Sequence, residues 1–262
     1  MKTRADVFLV RNGLSASRTA AAALIEAEAV LLRGVPIKKA SQPVDDADLA
    51  YIEVTDVCPY VGRGGYKLAG ALDVFGVEPK GLVCADIGAS TGGFTDCLLQ
   101  RGAARVYAVD AGSGQLADKL LHDPRVINIE KCNARYPLTD AVKEPCGLVV
   151  SDVSFISQTL ILPNVPAVLS SGGFYIALVK PQFECGRSAL NKQGIVKDRS
   201  MHAYAIKRVA DAAFAAELSV CRAAVSPIAG GDGNREFLLL CRKKTPASYD
   251  LTETEIRRLT GE

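Results

Sequence analysis

A glycine-rich turn flanked by carboxylates is the first chemically loaded feature of this 262-residue chain. Cys84-Ala85-Asp86-Ile87-Gly88-Ala89-Ser90-Thr91-Gly92-Gly93-Phe94 follows an apolar run of strand length and opens a helical pattern. In that context glycines let a ligand approach the backbone. The spacing is G-x-x-x-G-G rather than the dinucleotide pattern G-x-G-x-x-G. Asp110 ends the next apolar run, 22 residues after Gly88, where a carboxylate accepts hydrogen bonds from ribose hydroxyls. No lysine or arginine stands between 82 and 100 to meet a phosphate. Asp86, the loop and Asp110 therefore suit an adenosine cofactor with a positive, phosphate-free tail, which points to S-adenosylmethionine. A plain strand-to-helix turn that uses glycine for steric reasons is the competing reading.

Two more polar residues end apolar runs. Leu148-Val149-Val150-Ser151 leads into Asp152, and Ile176-Ala177-Leu178-Val179 leads into Lys180, followed by Pro181. In open parallel sheets ligands sit beyond the carboxyl ends of the strands, so both are candidates for the site. A helix-capping aspartate and a lysine that snorkels at a strand exit would leave the same pattern. Gly62-Arg63-Gly64-Gly65-Tyr66-Lys67-Leu68 and Gly230-Gly231-Asp232-Gly233-Asn234-Arg235-Glu236-Phe237 carry further charges, but spacing alone singles out neither Lys67 nor Glu236.

These residues need a scaffold, and the pattern from about residue 61 supplies one. Strand-length runs at Leu82–Asp86, Val106–Asp110, Val126–Ile129, Leu148–Ser151 and Phe174–Val179 alternate with helical stretches near 92–101, 113–121, 158–169 and 201–216. Such alternation predicts an α/β fold with a doubly wound, mostly parallel sheet. Ser219–Val225 and Glu236–Cys241 lack room for a crossover helix and close the seven strands as an antiparallel hairpin. Residues 1–54 read differently. Apolar positions from Val7 to Ile25 suit two short helices broken at Asn12-Gly13, and Val30–Leu32, Val35–Ile37 and Tyr51–Val54 read as strands. A small N-terminal α+β domain (1–54), a linker (55–60), a catalytic domain (61–243) and a C-terminal tail (244–262) are the expected organisation.

Charge and composition narrow the function. The chain is 48% apolar, carries 31 basic against 29 acidic residues, and so exerts no strong overall pull on nucleic acid. Locally the balance differs: residues 1–40 hold seven basic side chains against three acids, and 41–60 hold five acids and no base. Eight cysteines occur singly, without a C-x-x-C, and only His122 and His202 could join them. No zinc finger or secreted disulfide framework is expected, and reduced thiols in a cytoplasmic protein are. Neither a signal peptide nor an apolar run of membrane-spanning length is visible.

Taken together, Arg63–Leu68, Asp86–Asp96, Ser151–Ser157, Lys180–Glu184 and Gly233–Leu238 resemble the TlyA family of bacterial rRNA 2'-O-methyltransferases, often labelled haemolysins. The resemblance spans roughly residues 3 to 243. It implies a Rossmann-like class I methyltransferase domain similar to FtsJ/RrmJ, whose K-D-K-E tetrad falls on Lys67, Asp152, Lys180 and Glu236. It assigns the cofactor to Asp86, Gly88, Ala89, Ser90, Gly92, Gly93, Phe94, Asp110, Asn133 and Asp152. Arg4-Ala5-Asp6, Leu9-Val10, Gly13-Leu14 and Ser17-Arg18 look like the family's S-four-type RNA-binding domain, which makes Arg4, Arg11, Arg18, Lys38, Lys39 and Arg63 candidates for contact with 16S and/or 23S rRNA in ribosomal subunits. Gly62 and Glu28-Ala29 depart from the family pattern. No metal is implied.

The implied reaction displaces a methyl group from a sulfonium onto a ribose hydroxyl, so positioning of the oxygen carries much of the catalysis. Lys180 is expected as base or as hydroxyl-orienting group, with Asp152 fixing it and Lys67 with Glu236 holding the ribose. The alternatives are a methyltransferase of a small molecule or protein, which leaves the N-terminal domain idle, a membrane-active haemolysin, for which no apolar span or long cationic amphipathic helix is visible, and an RNA-binding protein without catalysis, against which the intact tetrad argues.

Overall fold

A computed structural model describes residues 2–15, 17–26, 28–55, 58–243 and 251–261. The chain forms two compact units, Met1–Gly62 and Arg63–Glu262, so the division falls two residues beyond the expected linker 55–60.

In the first unit, β1 (Lys2–Arg4) leads into α1 (Ala5–Arg11) and α2 (Arg18–Glu26), which pack on each other. The three-stranded sheet β3-β2-β5 is built from β2 (Val30–Leu32), β3 (Val35–Pro36) and β5 (Ile52–Val54). Arg33 and Gly34, both at positive φ, make the tight turn between β2 and β3. A pairing the apolar pattern does not announce joins β1 to β4 (Pro43–Asp45). The unit's small core is Ala5, Phe8, Leu9, Ala21, Ile25, Val30, Ile37 and Val44.

The second unit opens with α3 (Gly64–Phe75), then alternates β6 (Val83–Ile87), α4 (Gly93–Gln100), β7 (Arg105–Val109), α5 (Asp118–Leu121), β8 (Val126–Ile129), β9 (Cys146–Ser151), α6 (Val165–Val168) and β10 (Leu169–Val179). After α7 (Pro181–Glu184) and the long α8 (Arg199–Ala215), β11 (Leu218–Val225) and β12 (Phe237–Lys243) form the hairpin. The sheet order is β11-β12-β10-β9-β6-β7-β8, with β12 antiparallel between β10 and β11 and the other neighbours parallel. Strand order reverses between β6 and β9, which is where a doubly wound sheet opens a ligand crevice.

Three expectations shift, each for a local reason. The helix expected over 113–121 is confined to Asp118–Leu121, because Gly112 and Gly114 bend the chain and bond to Asp110 and Glu130. The helix expected over 158–169 is two 3-10 turns and the short α6, because Pro163 and Pro166 lack the amide hydrogen that a continuous helix needs. The segment expected as a tail contains α9 (Glu253–Thr260), started by a Thr252–Glu255 capping box and anchored by Ile256 in the core. All eight cysteines are free thiols, and no helix among the described residues is long and apolar enough to cross a membrane.

Candidate active site

The turn after β6 shows why glycine is required. Gly88 sits at φ +85°, and a Cβ there would come within 2.5 Å of the Asp152 carbonyl oxygen, so β6 and β9 approach closely at the crevice. Gly92 starts α4 at φ +95°. Beneath the loop Asp86 is fully buried, and one of its oxygens accepts from the Thr95 amide (2.9 Å) and hydroxyl (2.7 Å), tying the strand to α4. Its second oxygen is buried without a partner among the described residues. Burial, aided by the nearby Asp152 and Asp110 charges and opposed by Thr95, pushes its carboxyl up to about 7.

That shift has a measurable consequence. Between the unfolded value near 4 and about 7, the unfolded chain has released this proton while the folded chain keeps it, so stability falls as pH rises and the full cost is present above 7. Asp86→Asn removes this titration. The stability of the variant relative to wild type is expected to improve from pH 5 to pH 8, as read by urea unfolding, whereas parallel pH profiles would contradict the assignment.

A cavity of about 400 Å³ lies at the crevice, lined by Gly88, Ser90, Asp110, Asn133, Asp152 and apolar residues including Val109 and Ile161. Asp110 receives the amides of Ser90 (2.8 Å) and Gly112 (2.7 Å), which aim its carboxylate. Two carboxylates line the cavity, and no lysine or arginine is among the described lining residues. This donor set fits a cationic, phosphate-free adenosine compound. Asp86, Ala89, Gly92, Gly93 and Phe94 shape the turn without lining the cavity. Gln115, which accepts from the Ser90 hydroxyl (3.2 Å), lines it and was not visible in the sequence pattern.

Asp152 belongs to the cavity and also to a charged cluster. Its carboxylate pairs with the Lys180 ammonium at 2.6 Å, and Lys180 also donates to the Ser154 hydroxyl at 2.9 Å. Lys67, on the first turns of α3, pairs with Glu236 at 2.6 Å, and both are nearly withdrawn from water, with side chains 10% and 2% exposed. The β10–β12 register aligns Val179 with Phe237, so the next residue on each strand, Lys180 and Glu236, lie side by side. Gly64, one turn before Lys67, stands 3.7 Å by its virtual Cβ from Asp152. The four tetrad candidates thus converge as two lysine–carboxylate pairs, and Ser154 is a partner that sequence reasoning missed. A Cβ at Gly230 would come within 2.6 Å of Glu236, so that glycine makes room for the carboxylate.

The basic candidates of the first unit are exposed, and four of them, Arg4, Arg11, Arg18 and Lys38, are anchored by carboxylates. Arg4 and Arg18 both bond the buried Asp6, whose carboxyl they hold far below its ordinary range. Arg11 pairs with Asp46 and Lys38 with Glu28, and Lys39 is exposed. Arg63, at the start of the second unit, donates to the Ala229 carbonyl at 3.3 Å.

Residues 60–244 match the FtsJ-like methyltransferase family. "Putative rRNA methyltransferase YqxC" of Bacillus subtilis (strain 168) is 44% identical over 265 residues, covering 100% of this chain and 94% of its own. The 16S/23S rRNA (cytidine-2'-O)-methyltransferase TlyA of Mycobacterium tuberculosis is 41% identical over 244 residues, 93% of this chain and 91% of that protein. A solved structure described as "Putative hemolysin from Streptococcus thermophilus" superposes with a TM-score of 0.77 at 39% identity, covering 99% of this chain and 94% of its own. With a family match over most of its length and relatives above 40% identity along nearly all of it, the chain belongs to the FtsJ-like methyltransferases, in their TlyA branch.

Proposed function

We propose that this protein transfers a methyl group from S-adenosylmethionine to the 2'-hydroxyl of a cytidine ribose in ribosomal RNA, with the N-terminal unit docking the RNA. The observation that carries this reading is the double membership of Asp152, which lines the carboxylate-rich cavity and holds Lys180. The names of the relatives, which specify rRNA and cytidine 2'-O-methylation, support the acceptor.

S-adenosylmethionine, when bound, supplies an electrophilic methyl on a sulfonium. Asp110 takes the cofactor's ribose hydroxyls, and Asp152 with Asp110 offsets its positive charge. Asn133, which lines the same cavity, would hold the adenine. Lys180 touches the reacting oxygen: Asp152 and Ser154 fix two of its three N–H directions, which leaves the third for the ribose 2'-oxygen. Held this way the 2'-oxygen would be aligned for attack, with the C–O bond forming as the methyl–sulfur bond breaks to leave a neutral thioether, and with the hydroxyl proton passing to water. The Lys67–Glu236 pair backs the ribose and keeps the cluster neutral overall, two ammonium groups against two carboxylates.

Docking by the first unit rests on Arg4 and Arg18, which Asp6 holds in place while their side chains stay 51% and 62% exposed. Arg11, Lys38, Lys39 and Arg63 extend the basic set. Arg18→Ala in the full chain is expected to weaken rRNA binding at all sequences alike and to lower the slope of log affinity against log salt by about 1. An unchanged slope would remove Arg18 from the interface. Calorimetric titration tests the cofactor half: S-adenosylmethionine binds the wild-type chain, and Asp110→Ala weakens it at least about tenfold, the cost of one charge-assisted hydrogen bond or more. Equal affinity in the variant would place the cofactor elsewhere.

A further inference from the structure

Glu184 and Gln158 are buried polar residues beside the proposed active site that the mechanism does not use. Each is 1% exposed. Gln158 begins the 3-10 turn that follows the Asp152–Ser157 loop, and Glu184 ends α7, four residues after Lys180. Burial pushes the Glu184 carboxyl up, against the bonds it receives from Ser157 and Gln158. A carboxyl buried at that cost is held in place by its hydrogen bonds.

The bonds form a brace. One Glu184 oxygen accepts from the Gln158 amide at 2.8 Å and the other from the Ser157 hydroxyl at 2.5 Å. The Gln158 side chain then reaches under the sheet. Its Nε2 donates to the Leu178 carbonyl at 3.0 Å, one residue beyond the last β9–β10 pair, Ala177 with Ser151. There the β9–β10 ladder has ended, while Leu178 still pairs with Leu238 on β12, and the Gln158 side-chain amide holds its carbonyl. Its Oε1 lies 3.0 Å from both the Ser151 and Tyr175 hydroxyls, which are 2.7 Å apart. Burial raises the Tyr175 phenol, so it stays a donor. The Arg208 guanidinium caps the far side by donating to the Glu184 carbonyl.

The positions of these bonds in the chain give the brace its meaning. One strip, 151–158, is tied at Ser151 and at Ser157-Gln158, and between the ties lie Asp152 and Ser154, the two partners of Lys180. The other strip, 178–184, is tied at Leu178 and Glu184, and between those ties lies Lys180 itself. We propose that Gln158 and Glu184 are positioning residues that lock the two strips together and so fix the Lys180–Asp152–Ser154 geometry on which methyl transfer depends. They act through Lys180 and touch neither cofactor nor RNA. The proposal rests on the methyl-transfer reading of the site.

Glu184→Met removes both acceptors at similar length. Its single-turnover methyl-transfer rate on rRNA at saturating cofactor is expected to fall about 100-fold, the cost of roughly 1 Å of misplacement. Affinity for S-adenosylmethionine, measured calorimetrically, falls far less than the rate, because Asp110 and the bonds that aim it lie outside the braced strips. Glu184→Gln restores an acceptor for the Gln158 amide and turns its own amide toward the Ser157 oxygen, so it recovers a rate within about fivefold of wild type. Combined with Lys180→Ala, Glu184→Met adds no further loss, because a group that acts through Lys180 has nothing left to position. Ser157→Ala, which deletes one bond at a half-buried site, is expected to lose about three- to tenfold and keeps the test alive should Glu184→Met fail to fold. Variants as fast as wild type per folded molecule would overturn the brace, as would a double variant whose losses multiply. A wild-type chain that binds S-adenosylmethionine but methylates no rRNA would instead overturn the underlying reaction.

Discussion

Lys180→Ala is expected to lower the rate of rRNA methylation by about 10²–10⁴-fold while leaving cofactor affinity within about threefold of wild type. The asymmetry follows from where the side chain lies. Lys180 is absent from the cavity lining, and it meets the cavity through its two partners there, Asp152 and Ser154. On the proposed reading its removal withdraws the donor assigned to the 2'-oxygen and spares the carboxylates assigned to the cofactor. Asp152, whose side chain is 19% exposed, can turn to water once its partner is gone, so the fold survives. Calorimetry with S-adenosylmethionine beside a single-turnover assay separates the two effects. Loss of cofactor binding in parallel with activity would mean that Lys180 belongs to the cofactor site, and a fully active variant would remove it from the chemistry.

Glu236→Ala is expected to do the opposite and damage the fold first. The Lys67 ammonium is nearly withdrawn from water, and Glu236 is its ion-pair partner at 2.6 Å. Removing one member of a buried pair leaves an uncompensated charge and costs about 3–5 kcal/mol. In a unit of this size that is a fall in melting temperature of roughly 10 °C. Replacing both, as Lys67→Met with Glu236→Leu, removes the stranded charge and is expected to recover most of the stability while activity stays lost. Thermal unfolding of the single and double variants checks this. If Glu236→Ala melted with wild type, the pair would be carrying no structural role, and if the double variant regained activity it would be carrying no catalytic one.

These two residues also mark the limit of what the sequence discloses. The glycine turn, Asp110, Asp152 and Lys180 are legible because each is read against its own neighbours: an apolar run ends, and a polar residue stands where the strand stops. Lys67 and Glu236 pair across most of the second unit, brought together by α3 at one end of the chain and by an antiparallel strand inserted beside β10 at the other. Nothing local in Gly64-Gly65-Tyr66-Lys67 encodes that meeting, and only the resemblance to the TlyA family assigns those positions a role. Ser154 and Gln158 escape for a related reason, since their value lies in hydrogen bonds to the next strand over.

The sheet itself was largely readable, because strands buried on both faces are near-continuous apolar runs. The misses have specific causes. The β1–β4 pairing involves three residues on each side, including Pro43, and carries no alternation to detect. The start of α9 was announced by Thr252-x-x-Glu255, a capping box, but its helix is charged and its core contact is chiefly Ile256, too sparse a pattern to stand out. Pro163 and Pro166 interrupt the helical pattern there and divide it into short turns.

The central claim is that a methyl group moves from S-adenosylmethionine to a ribose 2'-oxygen of rRNA under the control of the Lys180–Asp152 pair. Its most direct test supplies labelled S-adenosylmethionine to purified small and large ribosomal subunits lacking the modification, digests the RNA to nucleosides and locates the label, with Lys180→Ala alongside. The account predicts label in 2'-O-methylcytidine from wild type and none above background from the variant. Label on a base, or no label in either subunit while the cofactor is demonstrably bound, would contradict it.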